Sequence, residues 1–250
     1  MNHTGKATLA IIGFMAFVVT AAATPQLTIP QERYDFGFVP RNAKVSHVFW
    51  LRSTGTDTVR IANVVPGCGC TRTPLEKNIL APGDSTQLEV IFDTRSFSGM
   101  VTKRPTIQFS DGSPDQHVSF VCSVAPRPDS TYPIIINPYE LDLSQVGDKT
   151  RTEMKFAVTN VGDTELTLSV DEIPAELFQL ELPKTIKAGK KAEGTLRLTK
   201  AAHDKEFEKA ITIELSDQRH SRFTIPVKRS IRKQGEAVLT PSNQTEPWGH

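Results

Sequence analysis

Two of the chain's three cysteines stand in the tetrapeptide Cys68-Gly69-Cys70-Thr71. Cysteines at this spacing support four arrangements. Either one can bridge to Cys122, tying a loop to the body of the fold and gaining roughly 3–4 kcal/mol by loop closure. The two can bridge each other, since Gly69 permits the bent backbone that this requires; such a ring is strained, and strained disulfides are more easily reduced. As thiolates they suit Cu(I) or Zn(II), with Cys122 or His47 completing the ligand set. They can also remain free thiols. A Cys-x-Cys without further ligands at set spacing leaves all four open.

No other stretch carries a reaction. Gly-x-Ser-x-Gly, His-Glu-x-x-His and phosphate-binding glycine loops are missing from the sequence, so no catalytic residue is assigned and no enzyme is expected. Cys122 alternates with Val118, Phe120 and Val124, as a small core hydrophobe would. His47 shares an inward face with Val45, Phe49 and Leu51 and reads as a core histidine. Val48 and Trp50 point the opposite way. An outward tryptophan is a candidate contact surface, unless a loop or the second half of the chain covers it.

The elements that must position these residues are short strands. Val45 to Arg52 and Thr86 to Phe92 alternate apolar and polar residues, with turn residues between strands at Gly55 and at Pro82-Gly83. Pro126, Pro128 and Pro133 mark a linker over 126–133. The pattern then repeats: Met154, Phe156 and Val158 answer the Val45 face, Gly162 answers Gly55, and Gly189 answers Gly83. The repeat predicts an all-β chain of two tandem immunoglobulin-like sandwiches, over 27–125 and 134–233. The second half lacks the cysteines, so the architecture does not require them. Strand parity places Cys68, Cys70, Cys122, His47 and Met100 toward one end of the first sandwich. Lys200 to Phe207 reads as a helical turn.

Residues 1–23 read as a signal peptide, with Lys6, an apolar run and Ala21-Ala22-Ala23. That run is shorter than the ~20 residues of a membrane span, so cleavage is expected over a retained anchor, and the mature chain should have no transmembrane span. Of 29 basic residues Lys6 lies in this leader, and there are 28 acidic residues. The mature chain thus carries no net charge, which argues against a nucleic-acid partner. Residues 234–250 are polar, carry Pro241 and Pro247, and read as a disordered tail.

Asp35-Phe36-Gly37, the Gly55 turn, Cys68-Gly69-Cys70-Thr71, Pro82-Gly83 and Phe92-Asp93 fall in order. Together they resemble the bacterial domain-of-unknown-function family 1573, itself similar to hydin-like, or ASH, immunoglobulin-like domains. The second half resembles a divergent copy. The resemblance implies a fold and a compartment, and no reaction. The expectation is an exported, periplasmic or secreted, non-enzymatic binding or scaffolding protein of the bacterial cell envelope, meeting another envelope protein and needing no cofactor. The alternative is a periplasmic copper, zinc or thiol-redox protein acting through Cys68 and Cys70.

Overall fold

Period-two burial governs the long strands. Along Lys44–Ser53 the side chains of Val45, His47, Phe49 and Leu51 are buried, while Trp50 and Arg52 are exposed. Along Ser85–Asp93, Thr86, Leu88, Val90 and Phe92 are buried. Strands of this kind must cover one face, and here each face is covered by an opposing sheet. The computed structural model describes residues 24–95, 97–147 and 150–232. The leader at 1–23 and the tail at 234–250 lie outside the described residues. Among these no helix is long and apolar enough to cross a membrane.

The chain forms two immunoglobulin-like sandwiches built to the same plan. In the first, one sheet runs in the order Leu27–Thr28, Lys44–Ser53, Ser85–Asp93, Thr71–Arg72. In the second, the matching sheet runs Ile134–Asn137, Glu153–Asn160, Lys191–Leu198, Phe178–Glu181. Gly83 and Gly189 answer each other in conformation as well as position, at φ +87° and +66°, where a residue with a Cβ is disfavoured. The opposing layers differ in how their strands are divided. Phe207–Leu215 is continuous, whereas its counterpart is divided at Arg104-Pro105 into Gly99–Lys103 and Thr106–Phe109. Pro105 has no N–H to donate to a ladder. The Lys200 segment forms a single 3₁₀ turn, Lys200–Ala202.

The linker is not the only join between the sandwiches. Arg33–Pro40 pairs in parallel with Ser119–Ala125 along one edge, and its other edge meets Arg222–Arg229, with Gly37 and Phe38 opposite Phe223. One eight-stranded sheet therefore crosses both units. Gly37 makes this approach possible: it adopts φ +63°, and a Cβ there would lie 2.0 Å from the Arg222 carbonyl oxygen. The apolar cores remain largely distinct, one around Phe36, Phe49, Phe92 and Phe120 and the other around Phe156, Phe178, Ile211 and Phe223. Phe38 of the first strand system packs against the second core, and Ala210 belongs to the first.

Candidate functional site

The cysteine turn lies between Val59–Val65 and Thr71–Arg72. Gly67 turns the chain at φ +79°, and Cys68 and Cys70 are joined to each other. Main-chain bonds fix the exit: Thr71 N donates to Cys68 O at 3.3 Å and Asp93 N donates to Cys70 O at 2.9 Å. Both cysteines are half-buried, Gly69 between them is exposed, and Cys70 packs against the first core. Thr71 is only 4% exposed, and its Oγ1 lies 3.4 Å from Cys68 Sγ and 3.8 Å from Cys70 Sγ.

Of the arrangements left open by the sequence, the structure adopts the bridge within the pair. Cys122 is thus not a disulfide partner. It is free and fully buried, opposite Val101 in the adjoining strand. Burial, with a smaller contribution from the Asp35 charge and against the pull of Lys103, pushes its thiol up to about 12. Neither does it join a ligand set: among the described residues no three of His, Cys, Asp and Glu are grouped to hold a metal. The two thiolates of the copper or zinc reading are joined in this oxidised state.

His47 is buried, as a core histidine is, and it lies at the junction of the two units, where its polar contact is to the second unit. Its ring stacks on Tyr34 at 3.6 Å, and its Nδ1 lies 2.6 Å from Glu172 Oε2 of the second unit. A carboxylate only accepts, so Nδ1 carries the proton in this contact. Nε2 is buried with no hydrogen-bond partner among the described residues.

Around His47 runs a polar seam that sequence reading did not find. Tyr34 Oη donates to Thr212 Oγ1 at 2.8 Å, Thr212 and Thr224 share a hydroxyl bond, and Thr224 Oγ1 donates to Phe36 O at 2.6 Å. Burial, reinforced by the Glu172 charge, holds the Tyr34 phenol far above its ordinary range. Arg222 pairs with Asp171 and Glu214 and donates to Asp35 O. Lys209 meets Glu89 and Lys44 meets Glu208, each at 2.6 Å. The one available signal was Gly37, a glycine inside a strand, which marks close backbone approach.

Val48 and Trp50 line a cleft of about 300 Å³ where the first unit's sheet faces the turn Ile173, Pro174 and Glu176 of the second. Val48 is half-buried, and the second unit covers this face only in part, leaving Trp50 48% exposed. Gln87, Glu89, Glu172 and Lys209 complete much of the wall.

Residues 27–124 match the family model described as a protein of unknown function (DUF1573). No curated protein matches the chain. Among solved structures, a protein of unknown function from Porphyromonas gingivalis W83 is 16% identical at a TM-score of 0.34, covering 82% of this chain and 99% of that one. The ASH / PapD-like domain 7 of human CEP192 is 8% identical at a TM-score of 0.33, covering 48% of this chain and 99% of that domain. The VesB protease of Vibrio cholerae is 15% identical at a TM-score of 0.34, covering 39% of this chain. The chain spans about a third (32%) of that protease's length.

Proposed function

We propose, from a first unit that matches a family of unknown function and a second built to the same plan, that this is an exported, non-enzymatic binding or scaffolding protein of the bacterial cell envelope. The observation that carries the reading is the cleft between the units, with Trp50 at its edge. A continuous sheet joins the two units that supply its walls, so the cleft is presented to a partner with little ordering left to do. Tryptophan half out of water at such a place is a residue type that dominates contact energies. The matching position of the second unit is Ala157, among the ion pairs Lys155–Glu193 and Arg197–Glu153, a surface suited to water.

The export expectation supplies the compartment. A photo-crosslinking residue at position 50, and separately at 157, tests the surface in cells fractionated into envelope and cytoplasm. The expected outcome is a mature chain beginning near Thr24 in the envelope fraction, and one defined envelope protein joined from position 50 and not from 157. Equal labelling from both positions, or a chain retained in the cytoplasm, overturns the reading.

A further inference from the structure

The disulfide holds little of the fold together. It spans a sequence separation of two residues, so it removes little freedom from the unfolded chain. The second unit makes the same turn without it. There Leu177 N and Phe178 N donate to Pro174 O at 2.9 and 3.0 Å, and Leu177 fills the core at the place of Cys70. A bridge the turn does not need sits half-buried beside an exposed glycine.

Thr71 gives that bridge a chemical partner. Its hydroxyl is buried, and the two sulfurs are its only hydrogen-bond partners among the described residues. Disulfide sulfur is a poor acceptor. A thiolate is a strong one, because the bond is then charge-assisted. A buried hydroxyl placed this way favours the state in which the bridge has opened.

We propose that Cys68–Cys70 is a thiol–disulfide exchange site that accepts two electrons from a dithiol carried by another protein. A thiolate of that dithiol attacks Cys68 Sγ, the sulfur outside the core contacts made by Cys70. The new bond is a mixed disulfide at Cys68, and the Cys68–Cys70 bond breaks. Its electron pair leaves on Cys70 Sγ, where the Thr71 hydroxyl donates to it until water protonates the thiolate. The second thiol of the partner, deprotonated, then attacks its own half of the mixed disulfide and expels the Cys68 thiolate, which takes up a proton. The partner ends as a disulfide, and Cys68 and Cys70 end as two thiols. This site does not depend on the Trp50 surface.

Reduced glutathione is the probe, with the reaction stopped early, before Cys70 closes back or a second glutathione resolves the mixed disulfide. The mature chain is exposed to it at neutral pH, quenched in acid, alkylated and mapped by mass. The comparison is an oxidised peptide of residues 66–73, which has the same ring without the fold. The folded chain should react about tenfold faster than the peptide, with glutathione on Cys68. Thr71→Val should abolish that advantage without changing the melting temperature by more than a few degrees, and Thr71→Ser should keep it. A folded chain no faster than the peptide, glutathione on Cys70, or a Thr71→Val chain that stays folded and just as fast would each overturn the proposal. Should Thr71→Val fail to fold, the peptide comparison and the site of attachment still decide.

Discussion

The turn at Cys68 and the turn at Pro174 are the same bend in two copies of one fold, and they are held by different means. In the second unit a buried leucine anchors the turn and main-chain bonds to Pro174 O close it. The first unit keeps a main-chain bond to Cys68 O and replaces the anchor with a sulfur bridge. The settings differ too. The Pro174 turn lies against the first unit and forms one wall of the cleft, whereas the strand leaving the Cys68 turn meets the second unit through an ion pair, Arg72 with Glu208. What holds a turn together need not be what gives it a role. The leucine turn is architectural, and the cysteine turn has chemistry to spare.

This contrast is broken most severely at the join. Gly37→Val places side-chain atoms on the Arg222 carbonyl in a backbone region closed to β-branched residues, and should cost roughly 3 kcal/mol or more. Thermal unfolding should show the two units losing a shared transition, with the second destabilised although the substitution lies in the first. A single transition at an unchanged temperature would mean that the sheet pairing contributes nothing.

Next come the anchors themselves. Leu177→Ala should cost about 2–5 kcal/mol, as deletion of a buried leucine does. Replacing both Cys68 and Cys70 by serine should cost only about 1.5 kcal/mol, the loop-closure value for so small a ring. Denaturant titration of the two variants decides; equal losses would erase the distinction between the turns.

The last effect is absent at neutral pH and confined to alkaline solution. The Cys122 thiol is raised to about 12 in the folded chain, against 9.0 for an ordinary thiol. Below pH 9 it is protonated in both states and contributes no pH dependence. Between pH 9 and 12 only the unfolded chain loses the proton, so stability falls by about 1.4 kcal/mol per pH unit. Cys122→Ala should flatten that slope in unfolding curves taken at pH 8.5 and 10.5. A slope unchanged by the substitution would assign it to other groups.

Much of the fold was legible because a strand with one dry face writes its period into the sequence. The Val45 and Thr86 runs, the paired glycines and the repeat all came from that source. The cysteines were legible as chemistry but not in their pairing, since Cys122 sits on the inward face whether it bridges or only fills space. The junction was hardest to read. His47 alternates with core residues, and burial against a second unit gives the same pattern as burial in a core. Parallel pairing of Arg33–Pro40 with Arg222–Arg229 joins segments from opposite ends of the chain, and such contacts leave no local period. Gly37, a glycine inside a strand, is the signal that could have shown it, as a residue suited to what passes close by.

That pairing also sets an order of events during synthesis. The strand carrying Phe38 is made early, and the strand that closes its open edge arrives only when residue 223 does. Until then the first unit carries an unsatisfied ladder and an aromatic side chain without its final neighbour, which is the kind of edge that recruits other chains. The protein's most vulnerable interval is therefore its own synthesis, when the first sandwich is complete enough to fold and the seal for its edge has yet to emerge.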